Sequence, residues 1–93
     1  MTPEGHVEAY LVKRVKATGG KTRKVRWIGR RAAPDRLIWW RAPGAWVEVK
    51  RFGQRPTPQQ EREHARMCED GWVVEWVDSK EMVDDLISRL TAP

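Results

Sequence analysis

Three charged residues, Asp35, Glu48 and Lys50, stand in two short apolar runs, Asp35 to Trp40 and Ala45 to Lys50, with Arg41-Ala42-Pro43-Gly44 between them. Pro and Gly in so short a gap predict a hairpin. With Arg41 to Gly44 as its loop, Trp40 stands opposite Ala45, Leu37 opposite Glu48 and Asp35 opposite Lys50. Side chains alternate along a strand, so Asp35, Glu48 and Lys50 share one face at the open end of this hairpin. Opposed Cβ atoms lie about 5 Å apart and diagonal ones about 7–8 Å, close enough for two carboxylates to reach one ion with an ammonium beside them. A carboxylate pair, a lysine and the neighbouring basic loop Gly29-Arg30-Arg31 are the groups that metal-assisted phosphodiester hydrolysis uses. Acid-x-acid and acid-x-Lys patterns are common in a chain that is 33% charged, and a solvated ion pair is their usual meaning. Convergence of all three groups, with apolar neighbours on both faces of the hairpin, sets this instance apart.

The elements that must carry these residues are legible along the chain. Thr2-Pro3 is an N-cap and first-turn pair, and Val7, Leu11, Val12 and Val15 recur at helical spacing until Gly19-Gly20. Glu8 borders that apolar stripe and can lean towards the acidic end of the hairpin. Alternation from Thr22 to Ile28 predicts a strand before the basic loop. Leu37, Trp39 and Trp46 fall on the acidic face of the hairpin, and Ile38, Trp40, Val47 and Val49 on the other, so helices should cover both faces. Thr57-Pro58-Gln59-Gln60 is a capping box that opens a helix to about Asp70. Trp72 to Val77 is strand-like, with Trp72, Val74 and Trp76 on one face. Asp78-Ser79-Lys80-Glu81 predicts a second capping box, and Met82, Val83, Leu86, Ile87 and Leu90 form the stripe of a terminal helix. The expected order is α-β-β-β-α-β-α in one domain spanning residues 1–93.

Composition narrows the partners. A net charge of +5 favours polyanions. The longest apolar stretch, near Leu37 to Trp40, is far below the roughly 20 residues of a membrane helix. The start of the chain has no signal-peptide character, so a cytoplasmic protein with no membrane association is expected. One cysteine, Cys68, excludes an internal disulfide and is expected to be a small buried hydrophobe. With only His6 and His64 beside it, no zinc site can be spaced, and any metal must be held by oxygen. Six tryptophans exceed what so small a core needs; each is expected to be core, with some reaching a partner surface. Arg30, Arg31, Arg51 and Arg55 flank the acidic end in sequence and are candidates for contacting a DNA phosphate backbone.

Pro34-Asp35 followed by Glu48-Val49-Lys50, in an αβββαβ order, resembles the PD-(D/E)xK nuclease superfamily with its restriction-endonuclease-like fold. GRRAAPDRL (Gly29 to Leu37), VEVK (Val47 to Lys50) and TPQQEREH (Thr57 to His64) are similar, more closely, to the small VRR-NUC domain, and the likeness covers nearly the whole chain. Ala32 stands where that pattern often has Gly. The resemblance implies an α/β fold, a mixed sheet flanked by helices with a C-terminal helix added. It implies that Asp35 and Glu48 bind Mg²⁺ or Mn²⁺ together with the Val49 carbonyl, and that Lys50 orients or activates the attacking water. Glu8 would be an auxiliary acid on the metal side. Gln60 matches the helix-start pattern and either caps its helix or hydrogen-bonds near Lys50. His64, on the same helical face, is expected to pack rather than catalyse.

Two function classes follow. One is a metal-dependent, structure-specific DNA endonuclease; free-standing VRR-NUC proteins are associated with cutting branched DNA, such as four-way (Holliday) junctions, as homodimers. The other is a non-catalytic basic nucleic-acid-binding module on the same fold. Presence of Glu8, Asp35, Glu48 and Lys50 together favours the first, since a module without chemistry has no use for all four.

Overall fold

The computed structural model describes residues 1–93. Seven elements follow in the expected order: α1 Pro3–Ala17, β1 Lys21–Lys24, β2 Arg36–Trp39, β3 Ala45–Val49, α2 Pro58–Glu69, β4 Val74–Val77 and α3 Lys80–Leu90. Thr2 Oγ1 accepts from the Gly5 N–H at 2.9 Å and Pro3 opens α1, whose buried residues Val7, Leu11 and Val15 sit one turn apart. Gly19, at φ +87°, lets the chain turn away from the helix end.

The four strands lie in the order β1-β2-β3-β4; the first two pairings are antiparallel, and β3 with β4 is parallel because α2 carries the chain back between them. On one face, α1 and α3 bury the core formed by Leu11, Val15, Ile38, Val47, Val83 and Leu86 with their neighbours. On the other, α2 lies over Trp46 and Glu48, bringing the His64 imidazole to Glu48. This is the mixed sheet with helices on both faces that the sequence implies. No helix is long and apolar enough to cross a membrane.

Local geometry departs from the sequence reading at several points, and β4 itself opens at Val74 rather than Trp72. The hairpin pairs Ile38 with Ala45, Leu37 with Trp46 and Arg36 with Val47, a shift of two residues from the expected register. Trp40 leaves the ladder because its indole N–H reaches Thr18 Oγ1 at 3.1 Å, at the end of α1. A two-residue shift preserves parity, so every side chain keeps its face while its opposite number changes. Second, β1 stops at Lys24 rather than Ile28: Trp27 turns to donate its indole N–H to the Pro34 carbonyl at 2.7 Å and packs on Trp46, leaving Ile28 in solvent. Third, Ser79 alone caps α3, accepting from Met82 N–H at 3.2 Å, while Asp78 Oδ2 instead accepts from Gly53 N–H at 3.1 Å. Fourth, Cys68 is exposed, because α2 buries Glu63 and Met67 and presents Cys68 to solvent. Fifth, of the six tryptophans only Trp46 is buried; Trp27 and Trp72 stand partly in solvent on either side of it.

Gly20 shows how tightly the Trp40 anchor is fitted. A Cβ there would lie 2.8 Å from both the Trp40 ring and Val15 Cγ1. Gly20→Ala is therefore expected to lower unfolding free energy by about 1–3 kcal/mol through overpacking, read as a fall in urea midpoint at unchanged m-value. An unchanged midpoint would mean that Trp40 does not anchor the hairpin.

Candidate active site

The observed register, extrapolated two residues beyond β2, would set Asp35 opposite Glu48 rather than opposite Lys50, and Pro34 opposite Val49. Asp35 still holds the sheet, its carbonyl accepting from the Val25 N–H at 2.8 Å. Strand alternation assigns Asp35, Glu48 and Lys50 to one face of this sheet end; Lys50 Nζ stands 3.9 Å from Glu48 Oε2, while the Asp35 carboxylate contacts Lys24 Nζ at 3.3 Å.

Backbone groups of β3 complete this end of the sheet. Trp46 N–H bonds the Val73 carbonyl at 2.9 Å and Lys50 N–H the Val77 carbonyl at 2.8 Å, so even-numbered amides of β3 point to β4. Odd-numbered ones therefore point to β2. The residue opposite Val49 on that side is Pro34, which has no N–H to give. The Val49 carbonyl is left without a ladder donor, beside the two carboxylates.

Glu48 and Lys50 side chains are each 13% exposed, yet the ammonium stands 3.9 Å from the carboxylate. His64 Nε2 lies 3.7 Å from the other Glu48 oxygen, with its side chain 12% exposed and no hydrogen-bond partner. Both distances are too long for hydrogen bonds. A nearly buried carboxylate approached by two nitrogens but bonded by neither has oxygens to spare, and a cation would offset the several kcal/mol that such burial costs.

Glu8 lies on the opposite side of the sheet end, where α1 covers it. Its Oε2 accepts from Arg36 Nη2 at 2.6 Å, Arg36 Nε at 3.1 Å and Lys24 Nζ at 2.8 Å. Burial pushes this carboxyl up, but the hydrogen bonds from Lys24 and Arg36 outweigh burial and hold it below the ordinary value of 4.5. The Lys24 ammonium, held protonated chiefly by the Glu8 hydrogen bond, also stands 3.3 Å from Asp35 Oδ2. Glu8 is therefore linked to Asp35 through the shared Lys24 ammonium.

No three His, Cys, Asp or Glu side chains converge as a metal cage. The groups that could hold a metal at this end are the Asp35 and Glu48 carboxylates and the Val49 carbonyl. That sparse all-oxygen set suits Mg²⁺ or Mn²⁺, which keep several waters, and the unbonded Glu48 oxygens and donorless carbonyl fit such an ion.

Gln60 takes the capping role: its Oε1 accepts from Thr57 N–H at 2.9 Å while its own N–H bonds Thr57 Oγ1 at 3.1 Å. It makes no hydrogen bond to Lys50. Among the arginines, Arg31 and Arg51 are exposed without an acidic partner, Arg30 lies 3.7 Å from Glu63, and Arg55 lies over the Trp76 ring at 5.6 Å. An open groove of about 410 Å³, lined by Lys24, Arg26, Trp27, Arg30 and Arg31, leads to Asp35. A larger cleft at the far end of the sheet, around Trp40 and Pro43, has no acidic residue and no part in this chemistry.

Arg36 and Trp27 are site neighbours to which the sequence does not point, and Lys24, legible as one of the cations flanking the site, carries no sign of its contact with Asp35. Lys24 was one cation among many; only pairing β1 with β2, which sets it opposite Arg36, places it beside Asp35. His64 carried a usable signal, its four-residue spacing from Gln60, but nothing local aims it at Glu48.

The Glu8 cluster has a pH signature. A carboxyl held below its unfolded value stabilises the fold above that value, and the contribution is lost as pH falls through the folded value. Glu8→Gln is expected to cost about 1–2 kcal/mol at pH 7, between an exposed and a buried ion pair, and to flatten the fall in stability below pH 4.5. Urea titrations between pH 7 and pH 3 check this; parallel curves for both proteins would show that Glu8 carries no such charge.

No family model matches the chain. It is 40% identical over 82 residues, 85% of this chain and 86% of the relative, to the "Putative nuclease p44" of Acyrthosiphon pisum secondary endosymbiont phage 1. A solved structure described as "VRR_NUC domain" superposes with a TM-score of 0.86 at 41% identity, over 95% of this chain and 97% of that one. Likeness in sequence and in three dimensions runs the length of the chain and includes the strands that carry Asp35, Glu48 and Lys50, so the chain belongs to the VRR-NUC domain family.

Proposed function

We propose that this protein is a metal-dependent DNA endonuclease that hydrolyses phosphodiester bonds in branched DNA, such as four-way junctions, and works as a homodimer. The observation that supports the reading is Glu48, a nearly buried carboxylate with no hydrogen bond, approached by Lys50 Nζ at 3.9 Å and His64 Nε2 at 3.7 Å. The nuclease description of the phage relative supports it.

Asp35, Glu48 and the Val49 carbonyl would hold Mg²⁺ or Mn²⁺, which supplies positive charge to polarise the scissile phosphate and acidify a water. Lys50, on the same face and 3.9 Å from Glu48, reaches the phosphate oxygens and stabilises the charge that builds on them. Lys24 restrains the Asp35 carboxylate and is itself held by Glu8, so both act as positioning residues. The amide nitrogen of Gln60, which the cap does not use, is available near the phosphate. Arg30, Arg31, Arg51 and Arg55 contact flanking phosphates. One subunit of this size offers little surface for two duplex arms, whereas a two-fold dimer matches the approximate symmetry of a junction. Trp72, 44% exposed, and Val73, 40% exposed, stand before the outer strand β4 and supply apolar surface for that interface, with Trp76 inside the strand. Light scattering should give twice the 10.9 kDa chain mass.

Labelled linear, flap and four-way-junction DNA, each with Mg²⁺, Mn²⁺ or EDTA, tests the reaction. Cleavage should require metal and favour the junction. Lys50→Ala should abolish cleavage with little loss of DNA binding, and Asp35→Ala or Glu48→Ala should also weaken metal binding by calorimetry. Cleavage in excess EDTA would overturn the metal mechanism; metal-independent DNA binding without cleavage would leave a binding module.

Affinity for duplex DNA should fall steeply with salt, each neutralised phosphate contributing a slope of about −0.9 in log affinity against log salt. Arg31→Glu and Arg51→Glu should each make that slope shallower without moving the melting temperature, since neither side chain makes an internal ion pair. A wild-type affinity that is flat with salt would remove the basic loops from the DNA face.

A further inference from the structure

Phe52 is 80% exposed, two residues beyond Lys50, and nothing inside the protein accounts for it. The turn that presents it is braced. Gly53, at φ +86°, donates its N–H to Asp78 Oδ2 at 3.1 Å, and Gln54 N–H bonds the Arg51 carbonyl at 3.0 Å. The segment then closes on buried Pro56 and the Thr57 cap. So short and pinned a turn holds the ring out from the sheet instead of letting it fold back onto the apolar surface. Two exposed arginines flank it: Arg51 has no acidic partner, and Arg55 lies over Trp76. At the same end of the sheet, the other basic loop carries a second apolar tip, Ile28, 95% exposed between Arg26 and Arg30.

We propose that Phe52 stacks on a nucleobase that the DNA leaves unpaired or unstacked next to the scissile phosphate. Charge selects the partner: arginines on both sides of the ring match a polyanion, and the only broad apolar surfaces on DNA are the faces of its bases. In an intact duplex those faces are hidden within the stack. A ring tied by a braced turn to phosphate-binding arginines meets one only where the stack is open, at a gap, a bulge or a branch point, or where it opens the stack as a wedge. Preference for interrupted DNA is then built into the loop that follows Lys50. This inference rests on the proposed nuclease reading for its substrate, but its test does not require cleavage.

The test is equilibrium binding in EDTA, comparing an intact duplex with the same duplex carrying a one-nucleotide gap opposite a 2-aminopurine. Wild-type protein should bind the gapped DNA more tightly and change the 2-aminopurine emission. Phe52→Ala should lose about 5- to 150-fold in affinity for the gapped DNA, the range seen when a stacking aromatic is truncated. Its affinity for intact duplex and its melting temperature should stay as in the wild type, and the emission change should disappear. Phe52→Trp should restore both. An unchanged ratio of the two affinities in Phe52→Ala overturns the proposal, as does a variant that instead dissociates a dimer in light scattering with the ratio intact. A protein that shows the Phe52-dependent signal but never cuts would retain this inference and defeat the nuclease reading; one that cuts without any Phe52 dependence does the reverse.

Discussion

The antiparallel ladder between β2 and β3 ends at the Arg36–Val47 pair; the next hydrogen-bonded pair in register would join Pro34 to Val49, and proline has no N–H with which to make it. That missing hydrogen leaves a carbonyl aimed sideways at the sheet end. Immediately beside it, strand alternation has already put Asp35 and Glu48 on one face. In a sheet interior the carbonyl would be bonded and the carboxylates separated by apolar packing. The end of the ladder is therefore the place where this fold can gather three oxygen donors without a dedicated loop, and the short Pro-Asp motif is sufficient to create it.

Charge at this end is arranged in two storeys. On the α2 side, Glu48, Lys50 and His64 are nearly buried, with both nitrogens 3.7–3.9 Å from the Glu48 oxygens, too long for hydrogen bonds, and His64 Nε2 is left without a partner. On the α1 side, Glu8, Arg36 and Lys24 are fully engaged at 2.6–3.1 Å. Lys24 joins the storeys by reaching Asp35. The bonded cluster fixes α1 against the sheet end, and that rigidity allows the unbonded one beside it to stay open.

Size explains where the aromatic surface went. A core of eleven residues between one sheet face and two helices leaves the second face with α2 alone. Trp27, Trp46 and Trp72 cover what α2 does not, with ring centroids 5.1 and 6.3 Å apart in tilted and edge-on contact, and the outer two remain half in solvent. Trp27 also pins the basic loop to the Pro34 corner through its indole N–H. Trp27 thus serves both as packing for the small core and as a wall of the groove that contains Asp35.

Local rules of the chain determined much of this protein. Helix starts at Thr2-Pro3 and Thr57-Pro58, the order of elements, the shared face of Asp35, Glu48 and Lys50, and the motif likeness to the family all depend on residues near one another in sequence. Period-two alternation survives a register shift of two, so the faces expected along β2 and β3 hold although the cross-strand partners differ. Tertiary structure decided the rest. Register was set by a bond from Trp40 to Thr18 on another element, and Glu8 was paired by Lys24 and Arg36, which come from two different strands. Exposure of Cys68 and Phe52 followed from which side of α2 met the sheet and which turn Asp78 braced. Hydrophobic and charged side chains state what they will tolerate, but which neighbour satisfies them is chosen only when distant segments compete for the same position.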